Sequence, residues 1–113
     1  MTYKYRMTME ERRGAQRVLE QTAVRYGMTT QEVQSLGKDI KYNEVKWYYW
    51  ASLLFDVGLT VTWAGRVAKR DHTTLIHSLR RMGEELYGLP YKSTLAEIGE
   101  VWKAHNLAWR EAA

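Results

Sequence analysis

Lys69-Arg70-Asp71-His72-Thr73-Thr74-Leu75-Ile76-His77-Ser78-Leu79-Arg80-Arg81-Met82 is the stretch from which the fold can be read. It predicts a helix. Asp71 suits the N-cap, because its carboxylate accepts hydrogen bonds from the free N–H groups of a first turn. Leu75, Ile76, Leu79, Met82 and Leu86 then recur at helical spacing and form one apolar stripe toward a core. His72, Thr73, His77, Arg80 and Arg81 fall elsewhere on the helix surface. A short polar first turn flanked by cations suits a helix that reads base edges in a DNA major groove and rests its cations on phosphates. The plain alternative is an ordinary amphipathic surface helix with a polar start.

Upstream, Thr60 or Thr62 can open a short helix with Val61, Ala64 and Val67 inward, and Ala68-Lys69-Arg70 makes a turn. A short helix, a tight turn and a longer polar-fronted helix form a helix-turn-helix over residues 60–87. Further out the same signals recur. Thr8 with Glu11 is a capping box that opens a helix over 9–26, ended by Gly27. Thr29 with Glu32 opens a second, short helix carrying Val33 and Leu36 and stopped by Gly37. After a connection over 38–43, Asn43 can cap a third helix over 44–57, ended by Gly58. Val45, Trp47, Tyr48, Tyr49, Trp50, Leu53, Leu54, Phe55 and Val57 make that helix apolar around most of its circumference, as a buried central helix is. Its Trp and Tyr side chains could form a base-stacking platform, but consecutive residues point all round, so core packing is expected. Gly88-Leu89-Pro90 breaks the chain, and Thr94 with Glu97 opens a last amphipathic helix over 94–110. The expected fold is all-α, about six helices in one domain over 9–113, with residues 1–8 as a flexible arm whose Lys4 and Arg6 could touch phosphate.

Composition narrows the function. The 113 residues are 45% hydrophobic and 27% charged, an ordinary globular balance. With no cysteine there is no thiolate metal site and no cysteine nucleophile, which suits a reducing cytoplasm. No signal core leads the chain and no apolar run is long enough to cross a membrane, so no membrane partner is expected. Net charge is +4 and unevenly placed: between residues 60 and 83 five cations face only Asp71. A basic patch is the electrostatic footprint of nucleic-acid binding, although a solvated basic face is common. His72 and His77 are five apart and do not share one helix face as residues four apart would. With His105 they make three histidines and no carboxylate cluster, so no catalytic residue, metal or cofactor is expected and the chain reads as a non-enzyme. Nothing matches the phosphate-binding pattern G-x-x-x-x-G-K-[ST].

The run Arg70-Asp71-His72-Thr73-Thr74, with His77 at its fixed offset, resembles the signature of the C-terminal DNA-binding domain of the bacterial replication initiator DnaA, position by position. There it opens the second helix of a helix-turn-helix. The resemblance follows residues 15–105 in helix order and is specific near 60–82. It implies a DnaA C-terminal-domain-like, Trp-repressor-like fold. Departures are visible. The family's S-L-x-x-I-G start stands here as Thr60-Val61-Thr62-Trp63-Ala64-Gly65. Its glycine pair before the arginine is replaced by Ala68-Lys69, with a turn one residue shorter. Its arginine-rich loop before the central helix is replaced by residues 37–46, where Lys38, Lys41 and Lys46 could supply backbone contacts without the planar fork of arginine.

The expected function is sequence-specific binding of double-stranded DNA at DnaA-box-like sites, by a bacterial or phage regulator of replication or transcription. Arg70, Asp71, His72, Thr73 and Thr74 are expected at base edges, with the Arg70 fork suited to guanine. Lys38, Lys41, Arg66, Lys69, His77 and Arg81 are expected on the backbone. Without a nucleotide-binding loop the chain would occupy the initiator's sites without ATP-driven assembly, as its competitor or partner. No sustained heptad points to a zipper, so a monomer is expected, cytoplasmic and nucleoid-associated. The alternative is a protein-interaction module that keeps the fold and binds the initiator or the transcription machinery instead of DNA.

Overall fold

The computed structural model describes residues 6–112, with side chains through Asn106. Most of the expected arm, including Lys4, lies outside the described residues. Six α-helices and no strand make up what is described. Helix α1 (Met9–Tyr26) begins at the Thr8 capping box: the Thr8 hydroxyl accepts from the Glu11 amide at 3.0 Å, and the Glu11 carboxylate accepts from the Thr8 amide at 2.8 Å. It ends where Gly27 turns left-handed at φ 63°.

Helix α2 (Thr30–Gln34) opens on the Thr29–Glu32 box but stops before Gly37. Ser35 ends it, its amide donating to Glu32 at 3.1 Å and its hydroxyl to the Gln31 carbonyl at 2.7 Å. Val33 and Leu36 are nevertheless both buried. Asn43 does not cap the third helix. It is itself helical, and a 3-10 turn (Ile40–Tyr42) leads in, capped by Asp39, whose carboxylate accepts from the Lys41 amide at 3.1 Å. Helix α3 (Asn43–Ala51) then widens into a π turn over Ser52–Asp56, closed by the Val57 amide on the Ser52 carbonyl at 3.0 Å. Phe55 from this turn lies 5.8 Å, centroid to centroid, from Trp102. A side chain at Gly99 would stand 2.8 Å from the Phe55 ring, so the last helix needs glycine there.

Helices α4 (Val61–Ala68), α5 (His72–Tyr87) and α6 (Leu95–Ala112) complete the chain. Tyr49, Trp50 and Leu53 from the α3 region meet Leu75, Leu79 and Met82 of α5 and Ile98 and Trp102 of α6, all buried in one core with Val18 and Leu19 of α1. Trp47, Tyr49 and Trp50 of the aromatic run are therefore packing, while Tyr48 is half-buried and meets Tyr26 edge-on at 5.9 Å between centroids. Burying a Leu or Met side chain is worth about 1.5–3 kcal/mol, so the α5 stripe anchors that helix. The Trp47 indole donates to Ser78 Oγ at 2.9 Å and fixes how α5 is rotated against α3. Leu86 departs from the expected stripe. It is 55% exposed, and at the end of α5 it lines a cleft with Tyr26, Tyr48 and Trp102. No helix among the described residues is long and apolar enough to cross a membrane.

Candidate nucleic-acid interface

The site is built where α4 turns into α5. Thr60 caps α4, its hydroxyl accepting from the Trp63 amide at 3.2 Å. At the other end Lys69 takes the left-handed conformation, φ 59° and ψ 43°, the single non-glycine residue to do so among those described. That conformation costs an L-residue about 1–2 kcal/mol. It lets the chain reverse within Lys69, Arg70 and Asp71, and the Arg70 amide closes the reversal on the Gly65 carbonyl at 2.8 Å. Gly65 makes room for it. A Cβ there would lie 2.7 Å from the Arg70 carbonyl and 3.3 Å from the His72 nitrogen.

Asp71 caps α5 as its position predicts, accepting from the Thr73 amide at 3.2 Å. The same carboxylate oxygen stands 3.2 Å from His72 Nδ1. His72, Thr73 and Thr74 are all exposed, while Leu75, the next residue, is fully buried. The first turn therefore presents three polar side chains to solvent from a helix anchored by its next residue. Beside it, Thr62, Arg66, Lys69, Arg70, Asp71 and His72 line a shallow concavity of about 470 Å³. Arg66 and Lys69 are exposed at its edge, and the Arg66 guanidinium rides 4.8 Å above the Trp63 ring. The cations at this lip favour an anion, while the Thr73 and Thr74 amides of the first turn are already taken up by Asp71.

The other expected residues divide. Arg70 is half-buried, and its guanidinium donates to the backbone carbonyl of Leu36, in the α2–α3 connection. Lys38 and Lys41 are exposed on that connection, with Lys41 3.8 Å from Asp39 and 5.1 Å from the centre of the Tyr42 ring. Lys46 is turned inward. It is 7% exposed, and its ammonium donates to the Gly37 carbonyl at 2.9 Å and the Asp39 carbonyl at 3.4 Å. Burial pushes its pKa below the usual lysine value, the Arg70 charge adds to this, and Asp39 opposes it. His77 and Arg81 lie about 8 and 14 Å along the axis from His72, at 1.5 Å per residue. His77 is hydrogen-bonded to the Tyr91 hydroxyl and stacked on that ring, 6.3 Å between centroids. Arg81 pairs with Glu85 at 3.4 Å.

Two participants carried no signal in the sequence: Tyr91, which holds His77, and Gln34, whose amide donates to the Val67 carbonyl at 3.2 Å and ties α2 to the end of α4. Among the described residues no three His, Asp or Glu side chains are placed to hold a metal ion. Fold and site together define an all-α protein with an exposed polar helix start set in a basic surround. No protein-family model, no characterised protein and no solved structure matches the chain.

Proposed function

We propose that this chain is a sequence-specific double-stranded-DNA-binding protein, a non-enzymatic regulator of replication initiation or transcription that acts at DnaA-box-like sites. The observation that carries the reading is the exposed first turn of α5, with His72, Thr73 and Thr74 outward and Arg66 and Lys69 beside them. In this reading α4, the turn and α5 act as a helix-turn-helix, and the start of α5 enters the major groove. His72 and Thr73 meet base edges, the Thr73 methyl against a thymine methyl. Asp71 keeps the first turn closed while Thr74 reaches a base or phosphate. Arg66 and Lys69 rest on phosphates at the groove edge, and Lys38 and Lys41 reach the backbone from the α2–α3 connection. His77 and Arg81 touch the backbone further along. The protein works in the cytoplasm on the nucleoid, as a monomer.

The test is binding to a DnaA-box duplex and to a scrambled duplex at two salt concentrations. The box should be preferred, and His72→Ala and Thr73→Ala should each cost about 1–3 kcal/mol on the box and nothing on the scrambled duplex. Equal losses on both sequences overturn the assignment. A second reading, a protein-interaction module, is favoured by one feature at the far end of α5. There Tyr26, Trp47, Tyr48, Leu86, Tyr87 and Trp102 border an aromatic cleft of about 230 Å³. A folded protein that binds neither duplex would favour that reading.

A further inference from the structure

The α2–α3 connection is held by cations instead of by a backbone cap. Helix α2 is only five residues long, and Ser35 ends it without a left-handed residue. Leu36, just beyond it, is buried, and its carbonyl needs a donor from elsewhere, since a buried unpaired carbonyl costs about 1–3 kcal/mol. Leu36 receives the Arg70 guanidinium, from the turn before α5. Gly37 and Asp39 receive the Lys46 ammonium, from α3. Gln34 adds a third tie, to the Val67 carbonyl at the end of α4. Between these ties stand Lys38 and Lys41, both exposed.

We propose that Arg70 is a positioning residue: its bond to the Leu36 carbonyl locks the loop of Lys38 and Lys41 to the start of α5, so that two segments more than thirty residues apart meet one DNA backbone in fixed register. The consequence for DNA rests on the reading given above; the brace itself does not. A guanidinium on a loop carbonyl within its own protein is not spent on a guanine. Loss of Arg70 therefore acts through the two lysines. It removes backbone contacts and leaves the preference supplied by His72 and Thr73. Lys46 cannot replace it, because its ammonium is already committed to Gly37 and Asp39. Two cations this close to one loop repel each other, which adds to burial in lowering the lysine pKa. The carbonyl oxygens between them offset that repulsion.

The experiment has a DNA-free arm and a DNA arm, with Arg70→Ala, Arg70→Lys, Lys38→Ala/Lys41→Ala and the triple alanine variant. In the first, backbone order parameters over residues 38–41 are measured by ¹⁵N relaxation. Arg70→Ala should drop them into the flexible range, below about 0.6, with residues 75–82 unchanged, and Arg70→Lys should restore much of the order. Unchanged order in Arg70→Ala overturns the brace. In the second arm, each phosphate contact contributes about −0.9 to the slope of log K against log salt. Arg70→Ala and the double lysine variant should each flatten the slope by up to about 1.8, twice that increment, and the triple variant should be no flatter than the double. The ratio of box to scrambled affinity should stay within about twofold in Arg70→Ala, since each tenfold requires about 1.4 kcal/mol of base discrimination. A triple variant flatter than the double, or a lost box preference in Arg70→Ala, would show Arg70 on the DNA itself and overturn the proposal. If even the unmodified protein binds neither duplex, the DNA reading fails, and the order parameters still decide the brace.

Discussion

The two parts of α5 divide its work within one turn. His72, Thr73 and Thr74 are exposed and touch no core. Leu75 and Leu79 are fully buried and Met82 is 1% exposed. The difference shows how a surface of short polar side chains can be held in place without core packing of its own: the buried stripe fixes the rotation and height of the helix, and the first turn, closed by Asp71, inherits both. A presenting surface on a packed helix is more defined than one on a loop. Stability and recognition should therefore separate along α5.

The strongest way to break this contrast is at its buried end. Leu79→Ala leaves a cavity among α3, α5 and α6, and changes of this kind cost about 2–5 kcal/mol. Urea unfolding should show that loss, and on the proposed function DNA binding should weaken only as far as the folded fraction falls. His72→Ala, seven residues earlier, should change stability by less than about 0.5 kcal/mol, the usual range for exposed positions. Equal destabilisation by the two variants would mean that the first turn is part of the packing after all.

Gly65 is where the presenting end is joined to α4, and it should give the next largest effect. An alanine methyl at 2.7 Å from the Arg70 carbonyl cannot be accommodated without moving the turn. Overpacking costs about 1–3 kcal/mol, and here the neighbour is backbone. Gly65→Ala should lower the melting temperature and shift the amide resonances of Arg70, Asp71 and His72 while leaving those of Leu79 and Met82 in place. Resonance shifts spread evenly along α5 would show that its two ends are not independent.

Asp71 sharpens the comparison at smaller scale. Its carboxylate closes the first turn on the Thr73 amide, and removal of such a cap costs about 1 kcal/mol. Asp71→Ala should show that loss in thermal unfolding, and Asp71→Asn should recover most of it. An alanine variant as stable as the native protein would mean that the first turn is held by α4 alone.

What the sequence made legible follows from how local each cause is. The capping pairs Thr8–Glu11, Thr29–Glu32 and Thr94–Glu97 act within one turn, and all three form. Asp71 and Gly88 bound α5 for the same reason. The exposed residues at the start of α5 were readable because the stripe through Leu75 and Leu79 leaves them no other face. Causes that lie far along the chain were not readable. Asn43 has the chemistry of a cap, but Asp39 and the 3-10 turn already lead the chain into α3. Phe55, within the π turn, meets Trp102 and Gly99 more than forty residues on, partners that no local pattern announces. Leu86 has the angular position of a core residue, and whether it is covered depends on where α6 runs. The carbonyl partners of Arg70 and Lys46 were hidden likewise, since a charged side chain beside a turn gives no sign of which backbone oxygen it will find.

Lys69 offers the smallest effect and the finest cut between the two roles. Its left-handed backbone disfavours any residue with a Cβ by about 1–2 kcal/mol, and glycine removes that strain. Glycine also loses more backbone freedom on folding, about 0.5–1 kcal/mol. The difference leaves Lys69→Gly more stable by about 0–1.5 kcal/mol, a rise of up to a few degrees in melting temperature. The same change removes an exposed cation from the lip of the concavity. If that ammonium rests on a phosphate, the salt slope falls by about 0.9 and the loss is equal for box and scrambled DNA. A variant more stable than the native protein and weaker on both duplexes would place the conformational demand and the electrostatic one on the same residue, acting in opposite directions. A variant that gains stability and binds as before would mean that Lys69 serves only to turn the chain, and that, on the proposed function, the phosphate contacts belong to Arg66 and the α2–α3 connection.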